Sequence, residues 1–393
     1  MEKYPSVSII FVNYNGRKIL GNLFIRFLES IRGLQYPGQV EVLAVDNNSD
    51  DDSISLIRKI LPHALIVKLK ENIGYINAVN LALKYTNGDY VLILNNDVIL
   101  PKNFLLNAID NIKELGQKYG DVVLAALQIV GDAKRYLGTK PILNVLGQAL
   151  HVDYLSPLEN LTKQISRLPK CWSGVYPDGA AFIISRSTIE KLKYIVFIPI
   201  FKMYFDDVEL GIRLTLLGVP IFYCKNLIIY HRLYSTSKIT IQYKKYINFN
   251  INRLMTLLSL MNSDIQRVFV LFLYLILDLF TLSLLMLKNR SNIFTSLYHY
   301  LKEIKRVYHG AEFIRRYYDS IAGSSFNNRY FLLKLFDHHP ILLPRWLCQT
   351  RYSRQIIELL TPIVLLYSFF ISHNLYKTYK AKGLRYSCIE TLS

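Results

Sequence analysis

Carboxylates occur in three short segments where chemistry is possible. Asp97 closes the segment Asn95-Asn96-Asp97, directly after the run Tyr90–Leu94. A carboxylate at the end of a strand can coordinate a divalent cation whose other ligands are phosphate oxygens. Asn95 and Asn96 can hydrogen-bond sugar hydroxyls without adding charge that would repel a diphosphate. These residue types also make ordinary turns, so the position after a strand is what favours a ligand site.

The second carboxylate, Asp46, follows the apolar run Val40–Val45. At this position it can accept hydrogen bonds from a nucleobase or a ribose. Helix capping is the competing role, and the acids and serine at 50–53 can serve it equally well. We therefore assign Asp46 to a ligand and the later residues to a cap.

The third segment is Asp206-Asp207, which opens a helical pattern reaching Leu217. Carboxylates are stabilised at a helix N-terminus, so capping explains one of them. The other can act as a general base that accepts a proton from a hydroxyl. Upstream, Gly179 lies among small residues where the backbone can come close to a substrate.

Short apolar runs alternate with helical patterns through about the first hundred residues, and the pattern is mixed from about 120 to 235. The alternation predicts an α/β domain with a mainly parallel sheet covered on both faces. In such sheets ligands bind beyond the carboxyl ends of the strands, where the polar segments 13–16, 46–50 and 95–97 lie. The predicted strands are Val7–Val12, Val40–Val45, Leu65–Leu69, Tyr90–Leu94, Val122–Ile129, Gly179–Ser185, Ile221–Tyr223 and Leu227–Tyr230. Helices are predicted at 19–31, 53–60, 75–85, after Pro101 and over Asp206–Leu217.

Composition changes near residue 240 and divides the chain into two predicted domains, 1–237 and 238–393. The whole chain is 51% hydrophobic with a net charge of +18, which excludes a disordered protein. The excess charge is concentrated in 238–393, which holds 21 Lys and Arg residues against 8 Asp and Glu. We expect this second region to be entirely helical, basic and associated with an anionic membrane surface.

Two apolar runs in the second region bear on how it meets a membrane. Val268–Leu287 has the length of a bilayer span but carries Asp278 near its centre, and Leu359–Ile371 is shorter. A single crossing would place the basic stretch 288–354 outside, against the usual orientation. We therefore expect a hydrophobic hairpin or in-plane helices on the cytoplasmic face. A buried core helix is the alternative.

Four cysteines show no spacing typical of a metal site or a disulfide framework, so we expect neither. A reducing compartment fits this pattern better. The first apolar run, Val7–Val12, is too short for the core of a signal peptide. The first domain is therefore expected to be cytosolic.

Taken together, residues 5 to 235 resemble glycosyltransferase family 2, inverting enzymes of the GT-A fold, and rhamnosyltransferase-like members look most similar. The resemblance rests on an ordered series of segments: Val7–Asn15, Val45–Ser49, Glu71–Tyr75 leading to Asn80, Leu94–Asp97, Gly179–Arg186 and Asp206-Asp207. Asn95 stands where the metal motif of the family often has an aspartate, and Asp206 stands where a glutamate is usual.

The resemblance implies roles for individual residues. Asp207 is expected to be the catalytic base. Asp97 and His231 are expected to hold Mg²⁺ or Mn²⁺. The nucleotide sugar is expected to contact Asn13, Tyr14, Asp46, Asn72, Gly74, Asn80, Asn95, Asn96, Gly179 and Asp206.

The resulting hypothesis is a sugar transfer from a UDP-, dTDP- or GDP-linked donor to a lipid-linked or protein-linked glycan. A polyprenyl-phosphate sugar synthase is one alternative. A scaffold of the same fold that binds a nucleotide or a glycan without turnover is the other. Nucleic acid is not expected as a partner, because the basic residues alternate with apolar runs and form no recognition module.

Overall fold

The computed structural model describes residues 4–130, 135–137, 140–143, 149–152, 156–232, 242–261, 263–289, 293–322, 341–344 and 386–389. The chain divides into two compact units. The first comprises Met1–Pro141 and His151–Thr240, and the second comprises Ile142–Leu150 and Ile241–Ser393.

An 11-stranded mixed sheet forms the first unit. Its strands are β1 (Val7–Asn13), β2 (Val40–Asp46), β3 (Leu65–Lys68), β4 (Tyr90–Leu94), β5 (Val98–Ile99), β6 (Val123–Val130), β7 (Arg135–Tyr136), β10 (Ser156–Pro157), β11 (Cys171–Gly174), β12 (Ala181–Ser185) and β13 (Ile221–His231). The main path runs β10-β7-β6-β12-β4-β1-β2-β3, and β13 pairs with β5, β6 and β11. Two further strands, β8 (Lys140–Leu143) and β9 (Ala149–Val152), form a separate pair.

Parallel pairing brings the carboxyl ends of β1, β2 and β4 to one edge of the sheet. Asn13 lies opposite Asp46, and Phe11 lies opposite Leu94. Every residue of β1 and β6 is buried, as expected for strands with both faces covered. The predicted strands over β1 to β4 are confirmed, with shifts of one residue at three ends.

The sheet is mixed, so the prediction of a mainly parallel arrangement needs correction. At its centre β12 is antiparallel to both β4 and β6. A strand buried on both faces gives the same apolar run in either direction, so the pattern reveals burial but not orientation. The two short strands predicted after residue 220 are one strand, β13, with a shift of register between Tyr223 and Ile228.

Eight α-helices are described in the first unit, and a short 3₁₀ helix, Leu83–Tyr85, follows the fourth. They are α1 (Gly16–Leu20), α2 (Asn22–Arg32), α3 (Ser53–Ile60), α4 (Tyr75–Ala82), α5 (Phe104–Tyr119), α6 (Leu158–Arg167), α7 (Arg186–Lys191) and α8 (Asp206–Leu216). The single helix predicted over 19–31 is interrupted at Gly21, whose φ of 59° ends α1 and begins α2.

A disulfide joins β11 to β13, contrary to the expectation from cysteine spacing. Cys171 and Cys224 face each other across the two antiparallel strands, and their Sγ atoms are 2.07 Å apart. They are separated by 53 positions in sequence. Only the register of the sheet, which sequence spacing does not contain, brings the pair together.

The second unit contains four described helices, α9 (Gln242–Ser259), α10 (Asp264–Asn289), α11 (Ile293–Ile304) and α12 (Val307–Ala322). It also contains a parallel strand pair, β14 (Ile341–Pro344) and β15 (Tyr386–Ile389), so the prediction of an entirely helical region is wrong there. The run Val268–Leu287 lies within α10, and Leu359–Ile371 lies outside the described residues. Where side chains are described, none of the helices combines the length and the apolar character needed to cross a bilayer.

Candidate active site

The ends of β1 and β2 are tied together by side-chain hydrogen bonds. Asn13 and Asp46 are both fully buried, and Asn13 Nδ2 donates to Asp46 Oδ1 over 2.8 Å. The second oxygen of Asp46 accepts from the backbone N–H of Ser49 at 3.1 Å. Tyr14, the next residue after β1, is 41% exposed. These bonds fix the β2 loop at the sheet edge where the predicted nucleotide ligand would lie.

The loop before α4 is held by a second amide network. Asn47 Nδ2 donates to Asn72 Oδ1, and Asn47 Oδ1 accepts from the N–H of Ile73, both over 2.9 Å. Asn72 Oδ1 also accepts from the N–H of Gly74, whose φ of 82° lies in the region that favours glycine. Asn72 and Gly74 therefore shape the entrance to α4, and their predicted contacts with a nucleotide sugar stay predictions.

Asn80, predicted to contact the donor, has both ends of its amide bonded to one backbone segment. Its Nδ2 donates to the carbonyl of Phe197 at 2.6 Å, and its Oδ1 accepts from the N–H of the same residue at 3.1 Å. These bonds hold the 197 segment against α4. The predicted contact of Asn80 with the donor stays a prediction.

The segment after β4 carries the predicted metal ligand. The N–H of Asn95 donates to the carbonyl of Ala180, which holds the segment beside the entry to β12. Asn95 and Asn96 are partly exposed, whereas Asp97 is buried. Asp97 Oδ1 lies 3.1 Å from His231 Nε2 at the end of β13, so the structure brings together the two residues predicted to bind a metal.

A third residue completes this arrangement on the far side of the imidazole. Gln128, in β6, places Oε1 2.6 Å from His231 Nδ1. Burial alone lowers the pKa of His231, but the charge and the hydrogen bond of Asp97 outweigh burial and raise the pKa overall. Asp97 therefore favours the protonated imidazole in the absence of a cation.

Asp97 and His231 fit two neighbouring positions of a divalent cation. Two ligand atoms that each lie about 2.1 Å from a metal, with a right angle between the two bonds, are about 3.0 Å apart. Asp97 Oδ1 and His231 Nε2 are 3.1 Å apart, which is close to this distance. Among the described residues no group of three or more His, Cys, Asp and Glu side chains could hold a metal. A cation here would need further oxygen ligands, which a diphosphate can supply.

The paired acids at the start of α8 lie in partly buried positions. Asp207 Oδ2 accepts from the N–H of Gly179 at 3.3 Å, and Oδ1 accepts from the N–H of Val208 at 2.8 Å. Burial raises the pKa of Asp206 to about 6. Burial, the charge of Asp206 and the charge of Asp178 all raise the pKa of Asp207. Raised carboxyl pKa values suit a base that works near neutral pH.

A fully buried ion pair fixes α8 in place. Arg213 Nη2 lies 2.6 Å from Glu209 Oε2, and both side chains are inaccessible to solvent. The same nitrogen donates to the carbonyl of Val196 at 2.6 Å, and Nη1 donates to the carbonyl of Ile195. The two residues are four positions apart, so they lie on the same face of α8. The first turn of α8, with Asp206 and Asp207, is thereby held in a fixed orientation.

Three residues near these acids were not predicted from sequence. Asp178 raises the pKa values of Asp207 and His231 through its charge.

The buried hydroxyl of Tyr75 has no hydrogen-bond partner among the described residues. Its pKa is raised by burial and by the charges of Asp206, Asp97 and Asp207, so both acidic segments act on one phenol. Gln128 was detectable as the polar residue of an apolar run, whereas Tyr75 resembles a core aromatic.

The sequence matches a family model described as Glycosyl transferase family 2 over residues 8–192. No curated protein matches the chain in sequence. The mixed sheet with flanking helices fits the GT-A fold that the resemblance implied.

Solved structures show distant likeness. The S. aureus TarS fragment 1–349 in complex with UDP-GlcNAc is 15% identical, with 97% of this chain and 93% of that chain covered and a TM-score of 0.46. The mannosyltransferase PcManGT from Pyrobaculum calidifontis, with GDP-Man and Mn²⁺, is 14% identical, with 97% and 86% covered and a TM-score of 0.45.

A third structure, GalNAc-T7 with UDP, GalNAc and Mn²⁺, is 13% identical with a TM-score of 0.46. It aligns with 58% of this chain, which spans only 43% of its length. Likeness at this level says nothing about the ligands of the present chain. The family match is the specific finding: residues 8–192 of this chain are similar to glycosyltransferase family 2.

Proposed function

We propose that the protein is an inverting glycosyltransferase that moves a sugar from a nucleoside diphosphate to a glycan acceptor. The observation that carries the proposal is the acidic cluster at the sheet edge. Asp97 and His231 lie in direct contact, and the Tyr75 hydroxyl experiences the charges of Asp97, Asp206 and Asp207. The proposed cation ligand Asp97 and the proposed base Asp207 therefore both act on the same buried phenol.

Asp207 is the base in this proposal. As the acceptor oxygen bonds to the anomeric carbon, Asp207 takes the proton of the acceptor hydroxyl. The bond between the anomeric carbon and the phosphate oxygen breaks on the opposite face, and the nucleoside diphosphate leaves with the electron pair. The anomeric configuration is inverted. The raised pKa of Asp207 supports this role because it brings the carboxyl closer to neutral pH.

Asp97 and His231 would hold Mg²⁺ or Mn²⁺. The ion would neutralise charge on the departing diphosphate. The donor would lie along the edge formed by the ends of β1, β2 and β4, in contact with side chains or backbone of Asn13, Tyr14, Asp46, Asn72, Gly74, Asn80, Asn95, Asn96, Gly179 and Asp206. Support comes from the parallel register, which brings Asn13, Asp46 and the segment after Leu94 to one edge of the sheet.

The acceptor is proposed to be a lipid-linked or protein-linked glycan at the cytoplasmic face of a membrane. Support comes from the 21 Lys and Arg residues against 8 Asp and Glu in 238–393. Anionic headgroups attract such a surface. In this proposal the domain 1–237 performs the chemistry, and 238–393 keeps it near the membrane without a required bilayer span.

Release of nucleoside diphosphate from a panel of UDP-, GDP- and dTDP-sugars tests the proposal. With Mn²⁺ and a membrane lipid extract, the wild type is expected to release one nucleotide. Asp207→Asn should reduce the rate about 10²- to 10⁴-fold, the usual contribution of a general base. A matched control is Asp121→Asn, because Asp121 bonds Ser185 and Lys191 away from the cluster. Donor binding without release in any combination would support the scaffold alternative instead.

A further inference from the structure

Gln128 is the polar residue of β6, whose other residues are all apolar. Its side chain is 2% exposed. In the register of the sheet it lies opposite Ile229 of β13, two residues before His231. This placement brings Gln128 Oε1 within 2.6 Å of His231 Nδ1.

The chemistry of this contact determines which imidazole nitrogen carries a proton. An amide oxygen accepts hydrogen bonds and cannot donate, so Nδ1 must be the N–H donor. The neutral ring then has its lone pair on Nε2, the nitrogen that faces Asp97 Oδ1. The opposite tautomer would place a proton on Nε2, where it would block coordination to a cation.

Stability alone does not explain a glutamine at this position. Gln128 Nε2 is buried without a hydrogen-bond partner among the described residues. A buried donor in that condition costs free energy that an apolar side chain would not. The oxygen end of the same amide, by contrast, makes a short contact with His231.

We propose that Gln128 is a positioning residue that holds His231 in the Nδ1–H tautomer and so presents Nε2, together with Asp97, to a divalent cation. This inference rests on the metal role of Asp97 and His231 given under the proposed function. Hydrogen bonds to the non-coordinating nitrogen of a metal-bound histidine commonly fix its tautomer and orientation. Gln128 itself would not touch the metal or the substrate.

The inference is tested by measuring how tightly the full chain binds Mn²⁺. Binding is detected as a loss of the EPR signal of the free ion. Titrations are made with Mn²⁺ alone and with UDP or GDP added. Gln128→Met keeps the approximate shape but removes the acceptor, and it should weaken Mn²⁺ binding about 10- to 100-fold. Gln128→Glu restores an acceptor and should bind at least as tightly as the wild type.

A matched control is Asn111→Leu, because Asn111 is another buried amide of the same unit and bonds Asn226 instead. This variant should bind Mn²⁺ like the wild type. Equal affinity of Gln128→Met and wild type would overturn the inference, as would equal weakening in Gln128→Met and Gln128→Glu. Mn²⁺ binding that persists in Asp97→Asn would overturn the proposed metal site itself.

A measurement on the wild type avoids any effect of the substitutions on folding. With ¹⁵N-labelled histidine and Mg²⁺, the ring resonances of His231 are assigned by their absence in His231→Asn. The expected spectrum shows the proton on Nδ1. A proton on Nε2 in the Mg²⁺-loaded protein would overturn the role of Gln128 while leaving glycosyl transfer open to its own test.

Discussion

At the scale of single residues, the first of the two acids that open α8 influences the second. The charge of Asp206 raises the pKa of Asp207, and so does the charge of Asp178. Asp207 is also held by the backbone N–H of Gly179, which fixes where its carboxylate can meet an acceptor. The neighbouring acid therefore tunes the proposed base without having to contact the substrate.

This coupling predicts the pH dependence of transfer. The base must be deprotonated, so the rate should fall as the pH drops through the raised pKa of Asp207. Asp206→Asn removes a charge that raises this pKa, so the acid limb of kcat/KM should move to lower pH. A shift of roughly one pH unit is the usual scale in folded proteins.

The measurement is the pH profile of nucleotide release. Asp178→Asn should move the limb in the same direction, because the charge of Asp178 also raises the pKa of Asp207. Asp121→Asn should not move it. A limb that stays in place or moves to higher pH in Asp206→Asn would contradict Asp207 as the base.

The sequence identified the acids at the ends of strands because a carboxylate after an apolar run is conspicuous. Gln128 and Tyr75 were not predicted, because neither follows an apolar run at the end of a strand. Both lie within elements whose neighbours are core residues, and nothing in their local sequence shows what they face. Only the register of β6 with β13 brings Gln128 to His231.

At the scale of elements, α8 owes its position to the buried pair Glu209 and Arg213. The guanidinium also bonds the carbonyls of Ile195 and Val196, so it joins the helix to the preceding segment. Removing one partner of a buried pair leaves the other charge without compensation. The stability of α8 should therefore depend strongly on Arg213.

Arg213→Met is expected to lower the free energy of unfolding by about 3–5 kcal/mol, measured by urea denaturation. The control is Lys170→Met, which breaks an exposed ion pair with Glu114 and should cost about 0–1 kcal/mol. Similar losses in both variants would show that the buried pair does not hold α8.

Elements were predictable where a single local signal decides them. Apolar runs placed β1 to β4 within a residue of their ends. Three features depend instead on contacts between distant segments. They are the direction of β12, the disulfide between Cys171 and Cys224, and the pairing of β14 with β15. Local sequence does not contain that information.

At the scale of the whole molecule, the excess of basic residues in 238–393 is the main observation that bears on the proposed membrane association. The second unit also exposes apolar side chains of α10. Ile265, Val268 and Phe272 follow helical spacing and are 75%, 66% and 63% exposed. Exposed apolar residues combined with an excess of basic residues are typical of helices that lie at a membrane interface.

We expect the full chain to bind vesicles containing phosphatidylserine and to bind phosphatidylcholine vesicles much more weakly. Added salt should reduce binding, because it screens attraction between the basic region and the headgroups. Phe272→Ser should weaken binding roughly tenfold or more, since burial of a phenyl ring is worth about 1.5–3 kcal/mol. Sedimentation with vesicles measures each case.

The control is Leu65→Ser, an exposed apolar residue of β3 in the first unit, which should leave binding unchanged. Binding that is insensitive to salt and to Phe272→Ser would contradict a membrane role for α10. Glycosyl transfer to a soluble acceptor would remain compatible with that result.

The most direct test of the central claim is the configuration of the transferred sugar. With the donor selected by the nucleotide-release panel, ¹H NMR follows the anomeric proton of the first product and its coupling constant. We expect an anomer opposite to that of the donor, formed by the wild type and not by Asp207→Asn. A product that keeps the donor configuration, or equal turnover in Asp207→Asn, would contradict it.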